Sequence, residues 1–206
     1  MQLKKLIKIF IVLVVIYSVI PMKEMQIQTA KVVEEIQEII PEIAEEITQE
    51  EKEIIQENLE ISFEMNLLTP SNVSVETLEK MFANTKMAGL GQYFVNAEKE
   101  TGINALYLAG LACHESGWNT SDFAKTRNNL FGWQAYDSNL NATKKFASKE
   151  ECIMFVADKI KVLYLEENGM FHSGYTISSI SKRYASDKQH AEKVFKNMEK
   201  MLDKLA

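Results

Sequence analysis

The 206-residue sequence predicts a mainly α-helical protein. Glycine and proline are scarce, at 8 and 3 residues, whereas a β fold with many turns needs more of both. Helix start and stop signals recur from about residue 74 onward, and the clearest helix is an apolar run at residues 105–113. Because a helix without a polar face must be buried on every side, we expect this run to form the centre of the fold.

The first 22 residues combine a basic start with a short apolar run. Lysines occupy positions 4, 5 and 8, and residues 9–20 are apolar apart from Tyr17 and Ser18. This pattern is typical of a secretion signal or of an uncleaved signal anchor. The residues around Pro21 lack a small-residue cleavage site, which favours a membrane anchor with its basic end inside the cell. Under either interpretation, the remainder of the chain is exported.

Residues 23–68 predict an acidic stalk. Glutamates far outnumber lysines in this part, whereas acidic and basic residues nearly balance from Met65 onward. Isoleucines recur at alternating three- and four-residue steps, as in a coiled-coil seam, but Pro41 interrupts any helix that carries them. Two alternatives follow: a short self-associating stalk, or a helical or partly disordered spacer that holds the rest of the chain away from the membrane.

Residues 69–206 predict one helical domain. Its helices are expected at 75–84, 92–101, 105–116, 121–126, 149–166, 178–183 and 190–205. Their start signals include Ser74 and Ser148, and their stop signals are Gly102 and Gly117. Residues 131–146 lack a helical pattern and predict the only extended structure, a small β flap.

Glu115 lies in the last turn of the apolar helix, just before the stop at Gly117. Burial disfavours a charged carboxylate, and the negative end of the helix dipole does the same. Both effects favour a Glu115 that holds a proton near neutral pH, as the general acid of a glycosidase must. The two tryptophans of the chain, Trp118 and Trp133, flank this segment and offer flat faces to sugar rings.

Three motifs occur in order here: HESGW at 114–118, NNLFG at 128–132 and YASD at 184–187. With these motifs, the chain from about residue 69 to residue 205 resembles the glucosaminidase family of bacterial and phage cell-wall hydrolases, family 73 of the glycoside hydrolases. The resemblance implies a lysozyme-like helical fold and an endo-β-N-acetylglucosaminidase that cleaves the glycan strand of peptidoglycan. It also implies that Glu115 is the general acid and that Tyr184 supports catalysis beside it. A muramidase, a lytic transglycosylase or a non-catalytic glycan-binding domain of the same fold remain alternatives.

The second catalytic group stays open at this stage. An inverting enzyme needs a base carboxylate about 6.5–9.5 Å from the acid, and a retaining enzyme needs a nucleophile about 5–5.5 Å away. Asp137 is the first candidate and Asp122 the second, but the acetamido group of the substrate could replace either. Sugar contacts are predicted for five residues: Trp118, Asn129, Phe131, Trp133 and Tyr136.

Composition also predicts several absences. The net charge is −6 and no basic aromatic stripe is present, so nucleic acid is not an expected partner. The three histidines have no metal-ligand spacing along the chain, so we expect neither a metal nor another cofactor. His114 lies about 100° around the helix from Glu115 and is predicted to be a buried histidine outside the cleft. Cys113 and Cys152 are predicted to be buried thiols, with a disulfide as the alternative.

Overall fold

A computed structural model of the protein describes residues 61–133 and 144–205, together with positions 37, 39–41 and 59. The chain divides into two compact units, Met1–Ile54 and Ile55–Ala206. The predicted anchor, nearly all of the predicted stalk up to residue 58 and the central part of the predicted flap lie outside the described residues. Among the helices that are described, none combines the length and the apolar character needed to cross a membrane.

The second unit is built from helices, as the sequence predicts. Its described residues contain α1 (Val75–Phe82), α2 (Gly91–Thr101), α3 (Ala105–Ser116), α4 (Asp122–Arg127), α5 (Lys149–Ile160), α6 (Ile177–Tyr184) and α7 (His190–Leu202). A π-helical turn at Lys161–Leu165 continues α5, and a 3-10 turn at Asp203–Leu205 ends α7. No strand occurs within residues 61–133 or 144–205. The mainly α fold class is therefore confirmed for this part of the chain.

The helix caps predicted at Ser74 and Ser148 are present, because each side chain accepts a hydrogen bond from the backbone N–H three residues later. Asn104 caps α3 in the same way, which the sequence analysis did not predict. Gly102 and Gly117 end α2 and α3 in the left-handed conformation, with φ of 77° and 56°. These local signals fix the two ends of the central helix.

Helix α3 forms the centre of the domain. Every residue from Ala105 to Cys113 is buried, and α3 packs against α2 and α7. Gly110 lies so close to α7 that a Cβ atom there would overlap the side chain of Met198. The glycine thus permits the close approach that brings the first residue of α7 beside the end of α3.

A buried carboxylate joins the start of α3 to the preceding segments. Oε2 of Glu98 accepts hydrogen bonds from the backbone N–H and hydroxyl of Ser71 and from the N–H of Ala105, each at 2.7 Å. Ala105 is the first residue of α3, where a negative charge is favourable. Leu67, fully buried, also bonds through its carbonyl to Asn104 N–H. The predicted stalk boundary at residue 68 therefore falls inside the packed domain.

Both cysteines are free thiols in the core, on α3 and α5. Burial raises the pKa of Cys152 to about 11, although the backbone N–H groups of Leu130 and Phe131 oppose this shift. Burial also raises the pKa of Cys113 well above its ordinary value. The prediction of buried thiols is confirmed, and the alternative of a disulfide is not met in this structure.

Candidate active site

Glu115 stands where the buried helix α3 meets the surface. Its side chain is 22% exposed, whereas the helix up to Cys113 is fully enclosed. The helix ends because Gly117 turns left-handed, and the backbone N–H of Trp118 bonds back to the carbonyl of Cys113 at 2.9 Å. This ending aims the Glu115 carboxylate out of the core without releasing the side chain into free solvent.

His190 holds the Glu115 carboxylate. The two residues are joined by a 2.8 Å hydrogen bond between His190 Nε2 and Glu115 Oε1. The imidazole is only 3% exposed, and its Nδ1 atom lies 2.9 Å from the hydroxyl of Ser181. The hydrogen-bonded chain Ser181–His190–Glu115 therefore links α6, α7 and α3 and fixes the carboxylate from one side.

Tyr184 lies beside His190, and its predicted role in catalysis stays a prediction. Its ring stacks on the His190 ring, with 5.4 Å between centroids and 30° between planes. Burial and the negative charge of Glu115 both raise the pKa of Tyr184. The same two causes raise the pKa of Tyr107, which lies on α3 itself.

His114 lies closer to the site than the sequence predicted. Its ring meets the His190 ring edge-on at 5.2 Å, and the residue is partly exposed rather than buried. Burial lowers the pKa of His114, although the charge of Glu115 opposes that shift. The prediction that His114 is a buried histidine apart from the cleft is therefore wrong. The 100° step around α3 separates the side chains of His114 and Glu115, but His190 contacts both of them.

Asn129 and Phe131 do not reach the surface in this structure. Asn129 is 1% exposed, and its amide bonds to the backbone N–H and carbonyl of Trp133 and to the carbonyl of Lys144, at 2.9–3.0 Å. Phe131 is 3% exposed and belongs to the core. Asn129 shapes the turn that the motif predicts, and Asn128 before it has a φ of 52°. Burial thus corrects the expectation that Asn129 and Phe131 bind sugar directly.

The two tryptophans are partly buried and packed against other helices. Trp118 donates its indole N–H to Asn197 Oδ1 at 2.9 Å. Asn197 lies on α7, seven residues after His190, so this hydrogen bond ties the segment that follows α3 to α7. Trp133 packs edge-on against Phe155 of α5 at 5.7 Å. Their predicted contacts with sugar stay predictions.

The remaining candidates for a catalytic or binding role are not resolved by the geometry. Asp137 and Tyr136 lie outside the described residues. Asp122 occupies the first turn of α4, where a carboxylate stabilises the helix. The sequence analysis missed His190, although one signal was available. His190 shares a helical stripe with the buried residues Val194, Met198 and Met201, and a histidine on such a stripe must find a polar partner inside.

Comparison with known structures shows that this helical fold occurs in other proteins. Two crystal structures of S. aureus autolysin E share the fold. One is a catalytic mutant in complex with the disaccharide NAG-NAM, with a TM-score of 0.56, 23% identity and coverage of 72% of this chain and 77% of the other. The other, in complex with the muropeptide NAM-L-Ala-D-iGlu, has a TM-score of 0.57 and 23% identity over 73% and 77% of the chains. At this identity the likeness establishes the fold alone.

The chain belongs to the glucosaminidase family, described as mannosyl-glycoprotein endo-beta-N-acetylglucosaminidase, whose family model matches residues 91–203. Two proteins called putative endo-beta-N-acetylglucosaminidase, from Streptococcus pneumoniae strains TIGR4 and R6, are each 34% identical over 146 residues. The matched region is 68% of this chain but only 22% and 21% of those proteins. The chain therefore spans about a fifth of the length of the curated relatives that it matches.

Proposed function

We propose that the protein is an endo-β-N-acetylglucosaminidase that hydrolyses the glycan strand of peptidoglycan, with Glu115 as general acid. The observation that carries this proposal is the setting of Glu115, a partly exposed carboxyl group at the end of a buried helix and held by a buried histidine. Family membership supports the reaction class, since both relatives are named for it. The autolysin E structures, which hold NAG-NAM and a muropeptide, support the choice of peptidoglycan.

The chemistry assigned to Glu115 is proton transfer to the leaving sugar. The Glu115 carboxyl group gives its proton to the glycosidic oxygen as the bond from that oxygen to the anomeric carbon breaks. Water then adds to the anomeric carbon, and its proton returns the carboxylate to the acid form. Because His190 engages Oε1, the proposal assigns the transfer to Oε2. The neutral hydroxyl of Tyr184 would donate a hydrogen bond near the reacting sugar.

The group that assists on the other side of the sugar ring remains a choice between two proposals. In the first, Asp137 acts as the base or the nucleophile. In the second, the acetamido group of the substrate attacks the anomeric carbon and no protein nucleophile is needed. Trp133 and Tyr136, near Asp137 in sequence, are proposed to line the sugar site. Asp122 is the weaker candidate because its carboxylate lies in the first turn of α4, where stabilisation of the helix is enough to explain it.

The proposed substrate sets where the enzyme acts. Peptidoglycan lies outside the cytoplasmic membrane, so the domain would act after export. We propose that residues 1–22 anchor the chain in the membrane and that the acidic segment after them is a spacer, with self-association through it as the alternative. Secretion after cleavage of the first segment would give a freely diffusing enzyme instead.

The chemical ends of the products test the proposed function. The full chain is incubated with purified peptidoglycan, and the soluble fragments are analysed by mass spectrometry after borohydride reduction. New reducing N-acetylglucosamine ends are expected. New reducing N-acetylmuramic acid ends would instead indicate a muramidase, and anhydro-muramic ends would indicate a lytic transglycosylase. Tight binding to the wall without new ends would indicate a glycan-binding domain and contradict the proposal.

A further inference from the structure

Three groups that commonly bind metals meet at the end of α3. The side chains of His114, Glu115 and His190 each offer one ligand atom, and these atoms all lie within 4.8 Å of one another. Two of them come from adjacent positions on α3 and the third from the first residue of α7. Spacing along the chain cannot reveal such a group, because it is assembled only when α7 packs on α3.

We propose that these three side chains form a binding site for a divalent transition-metal cation, with Zn²⁺ as the ion that fits best. Two imidazole nitrogens and one carboxylate oxygen match the ligand preference of Zn²⁺, whereas Mg²⁺ and Ca²⁺ prefer a shell of oxygen atoms. Three protein ligands leave the fourth tetrahedral position to water.

The geometry requires only modest movement of two side chains. Zn²⁺ bonds of about 2.0–2.1 Å in a tetrahedron put neighbouring ligand atoms about 3.3 Å apart. His190 Nε2 and Glu115 Oε1 are already 2.8 Å apart, so the ion would enter between them with a slight separation. His114 and Glu115 are both partly exposed at the helix end, where their side chains can turn to close the wider gaps.

His190 is arranged as metal-binding histidines usually are. Its Nδ1 atom lies 2.9 Å from Ser181 Oγ, and the ring is held by stacking on Tyr184. On binding an ion, His190 would give up the hydrogen bond between Nε2 and Glu115 and keep its proton on Nδ1, donated to Ser181 Oγ, so that the Nε2 lone pair faces the ion. One positive charge near the site, Lys193, would oppose a cation, but the 2.6 Å ion pair with Asp187 offsets it.

The consequence of occupancy rests on the proposed function. A Glu115 carboxylate that is bonded to a cation cannot carry the proton that the leaving sugar needs. Metal binding and acid catalysis are therefore mutually exclusive, and Zn²⁺ would act as a reversible inhibitor. The binding itself does not depend on the proposed function, so the two can be tested separately.

Calorimetric titration of the full chain with ZnCl₂ tests the site without any substrate. The matched control is His172→Ala, because His172 is the remaining histidine and binds the carbonyl of Tyr164 away from the cluster. We expect one Zn²⁺ per chain, an affinity at least tenfold weaker in His114→Ala and in His190→Ala, and an unchanged affinity in His172→Ala. Co²⁺ added in place of Zn²⁺ should give the visible absorption of a four-coordinate ion, which the His114→Ala chain should lose.

The outcomes distinguish the proposed metal site from the proposed hydrolase activity. Equal Zn²⁺ affinity in wild type, His114→Ala and His172→Ala would contradict the metal site. The same result would be obtained if the acidic N-terminal residues bound the ion instead. Because His114 is partly exposed, this comparison stays decisive even when the buried His190→Ala variant does not fold. Inhibition of wall hydrolysis by Zn²⁺, reversed by EDTA, is the expected effect on activity. Zn²⁺ binding by a chain that releases no glycan ends would contradict the proposed function and leave the site standing.

Discussion

Replacing His190 by alanine removes the contact that fixes the Glu115 carboxyl group. The bond from His190 Nε2 to Glu115 Oε1 is 2.8 Å long and shielded from water by the burial of the imidazole. Removing one partner of a hydrogen bond that is shielded from water costs about 1–3 kcal/mol. When that free energy serves to hold the acid in its reactive position, its loss lowers kcat by about 5- to 150-fold.

The pattern of kinetic constants distinguishes positioning from general damage. Because His190 is buried, we expect it to act through Glu115 and not on the sugar directly, so His190→Ala should lower kcat and leave KM nearly unchanged. Glutamine keeps a donor at a similar reach, so His190→Gln should recover part of the loss. The assay follows new reducing ends on solubilised glycan strands with EDTA present, so that no bound metal contributes.

A folding control is needed because a buried ring is removed. Near-ultraviolet circular dichroism and the thermal midpoint establish that each variant is folded at the assay temperature. A folded His190→Ala chain with the wild-type kcat would refute the positioning role. A loss confined to KM would refute it as well, because it would mean that His190 serves substrate binding.

Three further predictions concern the scaffold. Glu98→Gln turns an amide NH₂ toward donors such as Ala105 N–H, so it should lower the free energy of unfolding by about 1–3 kcal/mol in urea titrations; an unchanged midpoint would contradict this. Gly110→Ala should also destabilise, because overlap with Met198 costs about 1–3 kcal/mol against roughly 1 kcal/mol gained in helix propensity, and Met198→Ala in the same chain should relieve part of the cost. A stabilised Gly110→Ala chain would argue against the close crossing. Since burial raises the pKa of Cys152 to about 11, iodoacetamide at pH 8 should modify this thiol only after unfolding in urea, and rapid labelling of the native chain would contradict its burial.

The sequence was sufficient for the helices and for the position of Glu115. Caps such as Ser74 and Ser148 act on the backbone three residues away, and Gly117 ends α3 by its own conformation. These effects are local, so they can be predicted from the sequence without knowing how the helices pack. Because α3 is apolar on all sides, the sequence also predicted that this helix is buried. The position of Glu115 in its last turn then predicted a side chain at the edge of the core.

The rest of the site depends on contacts between distant parts of the chain. His190 meets Glu115 across 75 residues because α7 packs tightly on α3, which no local pattern shows. The burial of Asn129 likewise depends on the carbonyl of Lys144, which a later part of the chain brings to the turn. A polar residue in a motif can serve the substrate or the backbone, and only the folded arrangement separates the two roles.

The most direct test of the account is the rate at which Glu115→Gln releases reducing ends from purified peptidoglycan. The substitution keeps the size of the side chain and removes its acidic proton. The matched control is Glu192→Gln, an exposed residue of α7 that pairs with Lys196. Because general acid–base catalysis contributes about 10²- to 10⁴-fold, we expect Glu115→Gln to lose at least about 100-fold in rate and Glu192→Gln to match wild type. A folded Glu115→Gln chain that cleaves the wall at the wild-type rate would contradict the assignment of the acid.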